Sequence, residues 1–576
     1  MTDQVTRRLN GLQSTDRLSS FTNTQNLELI DSYLYADMQA AGVMPAGKTT
    51  DFEFIRRATT VDLTGRIPDP QRVLGFVVET APDKRRRMVD ELLGAPAWVD
   101  RWTLYFGDLF KNTVRNTQIN RYPEGRNAFY QWIHDSLASG KPYDQMAREL
   151  ISAQGGNSFD PNQGALNWLV GGVVTGGPVQ DIMDQQVANV AETFLGISHM
   201  NCLLCHNGRG HLDQLSVWGS RTTRYQAWQF ASFLSHTATR RVRTANANGP
   251  KYHWSVQDEV PRFRNDYPLN TTTGNRPPRR PNGTIVKVAP VYFFNGETPA
   301  QGQDYRGALA LYVTSDMQFA QAAVNYIWAQ FFGRGIVDPP NQFDLARLDP
   351  NNPPPAPWTI QPSDPQLLNA LAQRFIDSGF DLKSLMRDIT HSEVYQLSSR
   401  YRGAWNPAWE SLFARKMVRR LWAEEIHDAI VQSSGIVPSY NIRGFSQATT
   451  VDGTDYPGFG RIKWALQFPD VVGVPDGNGA VSQFLDNFLR GNRDDQQRRA
   501  EGSILQALDL MNDKFVASRV HATGPGTGLS RAKYQTAGRR TDSHAVPGGA
   551  FALSNRSREK HGTRQFWEGS EPSASG

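Results

Sequence analysis

The two cysteines of the chain stand together, because Cys202 and Cys205 are separated by two residues and followed at once by His206. Two thiols at this spacing lie on one helical turn, where they can add to the two vinyl groups of a haem. The imidazole of the next residue then lies beneath the iron as its proximal ligand. The sequence therefore predicts one covalent haem c, fixed by Cys202 and Cys205 and ligated by His206.

Three other interpretations of this motif stay open. A disulfide between Cys202 and Cys205 would close a very small loop and would constrain little of the unfolded chain. A thioredoxin-like redox pair usually follows a strand in a βαβ unit and needs no histidine next to it. Zinc could be held by both cysteines and His211, with His206 or another group as the fourth ligand.

The second axial ligand of such a haem is less well specified. Small c-type cytochromes usually supply a methionine several tens of residues later, but no methionine occurs between His206 and Met317. An open sixth position is the remaining outcome, and it would permit small-molecule chemistry at the iron. The candidate ligands are His211, His236, His253, Met183 and Met317, and the candidate partners for the haem propionates are Arg209, Arg221, Arg224, Arg240, Arg241 and Arg243.

Length and composition bound the class of protein. A chain of 576 residues exceeds what one core normally holds, so two or more domains are expected. The 14 Trp, 18 Tyr and 29 Phe supply enough apolar bulk for real cores. The net charge of +5, spread over this length, does not indicate a nucleic-acid-binding surface. No window approaches about 18 uninterrupted apolar residues, so no transmembrane helix is predicted.

The start of the chain conflicts with the haem prediction. Residues 1–47 contain no apolar h-region and no cleavage signature of a secretory signal. Haem, however, is normally attached to Cys-x-x-Cys-His outside the cytoplasmic membrane. We therefore expect a periplasmic or otherwise extracytoplasmic protein whose true N-terminus is truncated or misassigned, with export by another route and absence of the haem as the alternatives.

The periodicity of apolar residues predicts a mostly α, multi-helical, two-domain protein. A small β-hairpin or strand region is expected near 284–294, where β-branched and aromatic residues alternate. The predicted organisation is a polar lead-in over 1–50, a helical cytochrome-c-like domain over 51–245, a loop and hairpin linker over 246–305, a second helical domain over 306–520 and a disordered tail over 521–576. The predicted helices include 51–58, 83–93, 98–109, 126–139, 143–153, 320–332, 365–378, 382–391 and 407–434.

Two charged stretches are interpreted as solvent-exposed. Residues 275–283 combine Asn, Gly, Pro and Arg, which is typical of an exposed loop. The acidic residues Glu424, Glu425 and Asp428 surround His427, but no second cluster lies nearby in sequence, which favours a solvated helix face over a metal or acid–base site. No Ser-His-Asp order, phosphate loop or nucleotide fingerprint is found.

Several long strings resemble one protein family. They are FIRRATTVDLTGRIPDPQRV at 54–73, DKRRRMVDELLGAPAWVDRWTLYFGDLF at 83–110, VAETFLG at 190–196, AVNYIWAQFFGRGIVDP at 323–339, FIDSGFDLK at 375–383 and SEVYQLSS at 392–399. In this order they resemble the planctomycete-type cytochrome-c-like proteins, which are large exported bacterial proteins. That family has two consecutive domains of unknown function, and the first carries a Cys-x-x-Cys-His haem motif. The likeness covers about residues 50–520.

The resemblance implies fold and compartment more than activity. The family often has a His-Pro pair two residues after the proximal histidine; here Asn207 to Asp213 differs, so the second-ligand role passes to His211 as a candidate only. The expected function is one-electron transfer with a redox partner protein, with electron carrier favoured over catalyst. The rivals are a haem-dependent oxidoreductase linked to complex carbohydrate degradation and a surface scaffold with structural haem or zinc. Neither the partner nor the oligomeric state is predicted.

Overall fold

The structure is a computed structural model that describes residues 28–244, 251–259, 266–475 and 477–520. Helices dominate these residues and the strands are few and short, which confirms the predicted fold class. The tail predicted to be disordered, 521–576, lies outside the described residues. Among the residues that are described, no helix is both long and apolar enough to cross a bilayer.

The helices between Leu29 and Ala231 belong to the region that contains the cysteine pair. They are α1 (Leu29–Ala40), α2 (Asp51–Arg56), α3 (Pro70–Val78), α4 (Lys84–Gly94), α5 (Pro96–Leu109), α6 (Tyr122–Ala138), α7 (Tyr143–Ile151), α8 (Leu166–Val170), α9 (Val179–Leu195), α10 (Met200–Leu203), α11 (Val217–Arg221) and α12 (Arg224–Ala231). Helix α2 begins at Asp51, as predicted, and Thr50 and Glu53 form a reciprocal capping box at its start. A π-helical segment, Arg57–Leu63, continues it.

The helices of the second half follow the strands. They are α13 (Tyr305–Ser315), α14 (Met317–Phe332), α15 (Pro365–Asp377), α16 (Leu382–His391), α17 (Ala423–Ser434), α18 (Gly479–Asn487), α19 (Ile504–Asn512) and α20 (Lys514–Val520). Asp364 and Asp381 cap α15 and α16 through their carboxylates. The predicted helix over 382–391 has the observed bounds.

The strands form three two-stranded antiparallel sheets. The longest pairs β1 (Thr237–Thr244) with β2 (Lys251–Asp258), so that Thr237 lies opposite Asp258. The strand region predicted near 284–294 contains only β4 (Lys287–Val288), which pairs with β3 (Tyr267–Pro268). Beyond Val288, Pro290 removes a ladder donor and Tyr292 packs into the core. The third sheet pairs β5 (Thr449–Val451) with β6 (Thr454–Tyr456).

One large hydrophobic core extends from Ile30 to Leu466 and includes side chains of both halves of the chain. Trp98, Trp102 and Trp328 are among its largest fully buried members. Trp98, Trp102, Tyr105 and Phe106 recur at helical spacing along α5, and all four are buried in this core. A smaller cluster, which includes Phe484 and Phe515, joins α17, α18 and α20. The two halves thus stabilise each other by shared apolar burial.

The prediction of one helix over 407–434 is wrong in its middle. A 3-10 helix covers Pro407–Leu412 and ends at Phe413, whose φ of +53° is left-handed. The chain then runs without helix to Trp422, and along this stretch Lys416 reaches Asp62 while Arg419 pairs with Glu425. The ion pairs that these cations form with buried carboxylates therefore outweigh the local helix propensity of the stretch before Trp422.

The predicted solvated face on α17 is also wrong. Glu424, Glu425, His427 and Asp428 are each at most 1% exposed. His427 lies between Asp428 Oδ1, at 2.8 Å, and the hydroxyl of Tyr440, at 2.7 Å. The cluster is a satisfied internal network rather than a surface.

Candidate functional site

The cysteine pair lies on a short turn that follows α9. That helix ends at Gly196, whose φ of +69° is the left-handed conformation that glycine adopts without strain. Met200, Leu203 and Leu204 are buried and anchor the turn in the core. The two thiols and the imidazole of the same turn are half-buried, and Cys202 packs against the edge of the core.

Cys202, Cys205 and His206 share one helical turn, as their spacing predicts. The carbonyl oxygen of Cys202 accepts from the backbone N–H of Cys205 at 2.9 Å and of His206 at 3.3 Å. Both cysteines are free thiols. Burial raises the pKa of the Cys202 thiol above its usual value, and the neighbouring Cys205 acts in the same direction.

The imidazole of His206 has one nitrogen already in use. Its Nδ1 lies 2.9 Å from the backbone carbonyl oxygen of Asn207. A carbonyl oxygen only accepts hydrogen bonds, so Nδ1 carries the proton in this bond and Nε2 keeps its lone pair. Metal-ligating histidines commonly donate their second ring N–H in this way, which fixes the tautomer. The donor set on this turn therefore fits an iron porphyrin held by two sulfurs and one nitrogen.

His211 lies directly beside His206. The two imidazole rings stack with centroids 3.8 Å apart and planes inclined by 28°. A sixth ligand has to approach iron from the side opposite the proximal ring, whereas a ring stacked on His206 lies on the same side. The predicted second-ligand role of His211 therefore requires the stacked pair to separate, and it stays a prediction.

The other candidate axial ligands have their own surroundings. His236 stacks on Tyr305 with centroids 3.9 Å apart. His253 lies on β2, where its Nδ1 is 3.3 Å from the hydroxyl of Thr244. Met183 is buried in α9, and Met317 is 38% exposed at the start of α14. Each of these residues has the packing or surface position expected without any iron.

Arg276 contacts the cysteine turn from a segment that the sequence had assigned to an exposed loop. Its Nη1 lies 3.0 Å from the carbonyl oxygen of Asn201 and 3.5 Å from Sγ of Cys205. Its Nη2 donates to Asn201 Oδ1 at 2.7 Å and to Gln185 Oε1 at 3.2 Å. Only 7% of Arg276 is exposed, so the exposed-loop prediction is wrong at this residue.

A buried ion network lies behind this contact. The guanidinium of Arg279 donates to Asp181 at 2.6 Å, to Asp184 at 2.7 Å and to the hydroxyl of Tyr267 at 2.5 Å. Arg279 is fully buried. Burial raises the pKa of Asp184, although Arg279 and Arg276 oppose the shift. The network fixes the linker segment against α9.

The comparisons with known proteins match two parts of the chain. Residues 29–218 match the family model PSCyt2, described as a protein of unknown function (DUF1549). Residues 305–543 match PSD1, also described as a protein of unknown function (DUF1553). The chain joins two consecutive domains of unknown function. This pairing is typical of planctomycete proteins, and no curated protein or solved structure matches the chain.

The DUF1549 match contains the cysteine turn, and the DUF1553 match contains a residue that supports it. Asp344, which is 1% exposed, accepts from the backbone N–H of Val217 at 2.7 Å and of Trp218 at 2.9 Å. Those N–H groups open α11, which follows the loop after His211. Arg276 and Arg279 belong to neither match and lie between the two.

The zinc alternative gains no support from this geometry. Within the described ranges, no group of three or more His, Cys, Asp and Glu side chains converges as a metal site would require. The arrangement around Cys202 is one of two thiols and one imidazole on a single turn, with the His211 ring of the following loop stacked on that imidazole.

Proposed function

We propose that this DUF1549–DUF1553 protein is an extracytoplasmic, monohaem c-type cytochrome-like protein that transfers single electrons to or from a protein partner. Cys202 and Cys205 would fix the haem, and Nε2 of His206 would ligate its iron. The observation that carries the proposal is the hydrogen bond from His206 Nδ1 to Asn207, because it prepares Nε2 as a ligand on the same turn as two free thiols.

The bound haem would supply a one-electron iron couple. The chain's own residues would hold that couple in place: Met200, Leu203 and Leu204 anchor the turn, and the two sulfurs are half-buried beside them. Covalent attachment allows a small surface site to hold a large cofactor. The reduction potential would then depend on the sixth ligand and on nearby charge, of which Arg276 is the closest defined source.

A second candidate function is oxidative catalysis, which the stacking of His206 and His211 favours. Stacked as it is, His211 would lie on the same side of the iron as His206 and would not itself fill the opposite position. An open iron position is what a haem-dependent oxidoreductase needs, and complex carbohydrate would be its expected substrate class. Electron transfer remains the first proposal because a prepared imidazole nitrogen and two free thiols on one turn are what a covalently held one-electron cofactor would need.

The test is expression of the full chain with an added secretion signal in a bacterial host that carries a haem-attachment system. We expect a coloured protein whose pyridine haemochrome spectrum shows two thioether links and whose mass exceeds that of the polypeptide by one haem. The Cys202→Ala/Cys205→Ala double variant should be colourless, whereas His206→Ala should alter the axial spectrum. A reversible redox couple would support electron transfer, and turnover with peroxide would support catalysis. Colourless wild-type protein of bare polypeptide mass would overturn both.

A further inference from the structure

The segment Asn275–Arg279, here named the clasp, closes over the cysteine turn from the region between the two domains. Two of its arginines point inward: Arg276 is 7% exposed and Arg279 is fully buried. The next residue, Arg280, is exposed. These three neighbouring arginines therefore occupy different environments. Arg276 and Arg279, which belong to the clasp, contact the protein interior, whereas Arg280, which follows it, does not.

The clasp is held at both ends without the help of Arg276. Arg279 is fixed by Asp181 and Asp184 on α9. Arg224, at the start of α12, donates to the carbonyl oxygens of Pro277 and Pro278, and its Nε donates to the carbonyl oxygen of Leu204. Since Leu204 directly precedes Cys205, Arg224 ties the clasp to the turn from a second direction.

Arg276 contacts both the backbone and a reactive atom of the turn. Asn201, which precedes Cys202, is gripped at its carbonyl and at its side chain, and the same guanidinium lies 3.5 Å from Cys205 Sγ. Hydrogen bonds from a guanidinium are charge-assisted and stronger than neutral ones. The two sulfurs are thus inequivalent, because Arg276 is within hydrogen-bonding distance of Cys205.

We propose that Arg276 is a positioning residue that holds Cys205 Sγ in place for thioether formation. The proposal rests on the function proposed above. In that step the thiol S–H bond breaks, sulfur bonds to the inner vinyl carbon and the hydrogen goes to the outer one, so no oxidant is required. A cation fixed beside the sulfur stabilises the negative charge that develops there as the S–H bond breaks.

The first test uses the haem-free protein. Hydrogen exchange measured by mass spectrometry should show the peptide that covers residues 200–207 exchanging about tenfold faster in Arg276→Gln, because a charge-assisted anchor is lost. Arg276→Lys should restore part of the protection. Asn201→Ala is the second variant, for use if Arg276→Gln folds poorly. It removes the side-chain acceptor of Arg276 from an exposed residue and should speed hydrogen exchange in the same peptide. Arg280→Gln is the matched control and should exchange like the wild type.

The second test counts thioether links in the haem-loaded protein. Arg276→Gln should lose the link to Cys205, so that its pyridine haemochrome α-band moves to longer wavelength and coincides with that of Cys205→Ala. Arg276→Lys should recover two links, and Arg280→Gln should keep them. A merely structural role would lower stability without this selective loss.

The outcomes separate the two proposals. Faster exchange in Arg276→Gln together with a colourless wild type would support the grip of Arg276 on the turn and overturn haem attachment, and with it the thioether role. Two intact links and unchanged exchange in Arg276→Gln would overturn the positioning role while leaving the cytochrome proposal standing.

Discussion

The imidazoles of His206 and His211 lie face to face, 3.8 Å apart between ring centroids. Two rings stacked in this way approach a metal from the same side. In the proposed cytochrome, His211 would therefore orient the imidazole of His206 rather than complete the axial pair.

This relationship predicts the outcome of His211→Ala. In the haem-loaded protein we expect the oxidised variant to keep the wild-type axial signature in its absorption and electron paramagnetic resonance spectra. The lost ring contact should cost about 0.5 to 1.5 kcal/mol of stability. Conversion of a low-spin wild type into a high-spin variant would instead identify His211 as the sixth ligand.

Gly208 should tolerate no side chain. A Cβ there would lie 1.7 Å from the backbone oxygen of Gly219, so Gly208→Ala must displace backbone. We expect a loss of about 3 kcal/mol, seen as a lower Tm by differential scanning calorimetry. Gly210→Ala is the control: Gly210 has φ of +86° but no atom near its Cβ position, and the strain should cost about 1 to 2 kcal/mol. Equal Tm losses would contradict the close contact.

Removal of the Arg279 guanidinium should lower the free energy of unfolding far more than removal of the Arg280 guanidinium. Arg279→Met leaves Asp181 and Asp184 buried without their shared cation, which typically costs about 3 to 5 kcal/mol. Arg280→Met, at an exposed position, should change stability by no more than about 0.5 kcal/mol. Chemical unfolding followed by circular dichroism measures both, and a small effect of Arg279→Met would show that the carboxylates find other partners.

Lys416 should make stability rise with pH in the alkaline range. Burial lowers the pKa of Lys416 to about 8 from its usual 10.5, although Asp62 opposes the shift. Between these two values the unfolded chain binds the proton and the folded chain does not, so the free energy of unfolding increases as pH rises. The increment is up to about 3 kcal/mol. Below pH 8 both states are protonated and this slope disappears.

Urea unfolding at pH 7.5, 9 and 10.5 checks the Lys416 prediction. The wild type should gain stability relative to Lys416→Met across this interval. Lys514→Met removes an exposed lysine and should keep the wild-type slope. A parallel pH dependence in the wild type and Lys416→Met would mean that the buried amine stays charged.

Elements with strong local signals could be predicted from the sequence. Helix α16 combines an Asp381 cap with regular apolar spacing, and its bounds were predicted correctly. The shared turn of Cys202, Cys205 and His206 follows from their spacing alone. In both cases the interactions that decide the structure lie within a few residues of one another.

The clasp could not be predicted in the same way. Pro, Gly and Arg between 275 and 283 are typical of exposed loops, but the partners of Arg279 lie 98 and 95 positions earlier in the chain. One feature of the sequence did indicate that a buried cation was needed. Asp181 and Asp184 stand at helical spacing on α9, whose other inward residues are largely apolar, and buried carboxylates require a cation from elsewhere. The prediction of a solvated face at Glu424 and Glu425 failed for the same reason, because Arg498 lies 74 positions after Glu424 and the distant Arg101 faces Glu425.

Asp344 has a practical consequence for dissecting this protein. A fragment that ends with the first family match would leave the N–H groups of Val217 and Trp218 without their acceptor. Such a fragment would fray right after the loop that contains His211, and a colourless product from it would say nothing about the intact molecule. Domain-by-domain expression, the usual first experiment on a two-part protein, is the wrong one here.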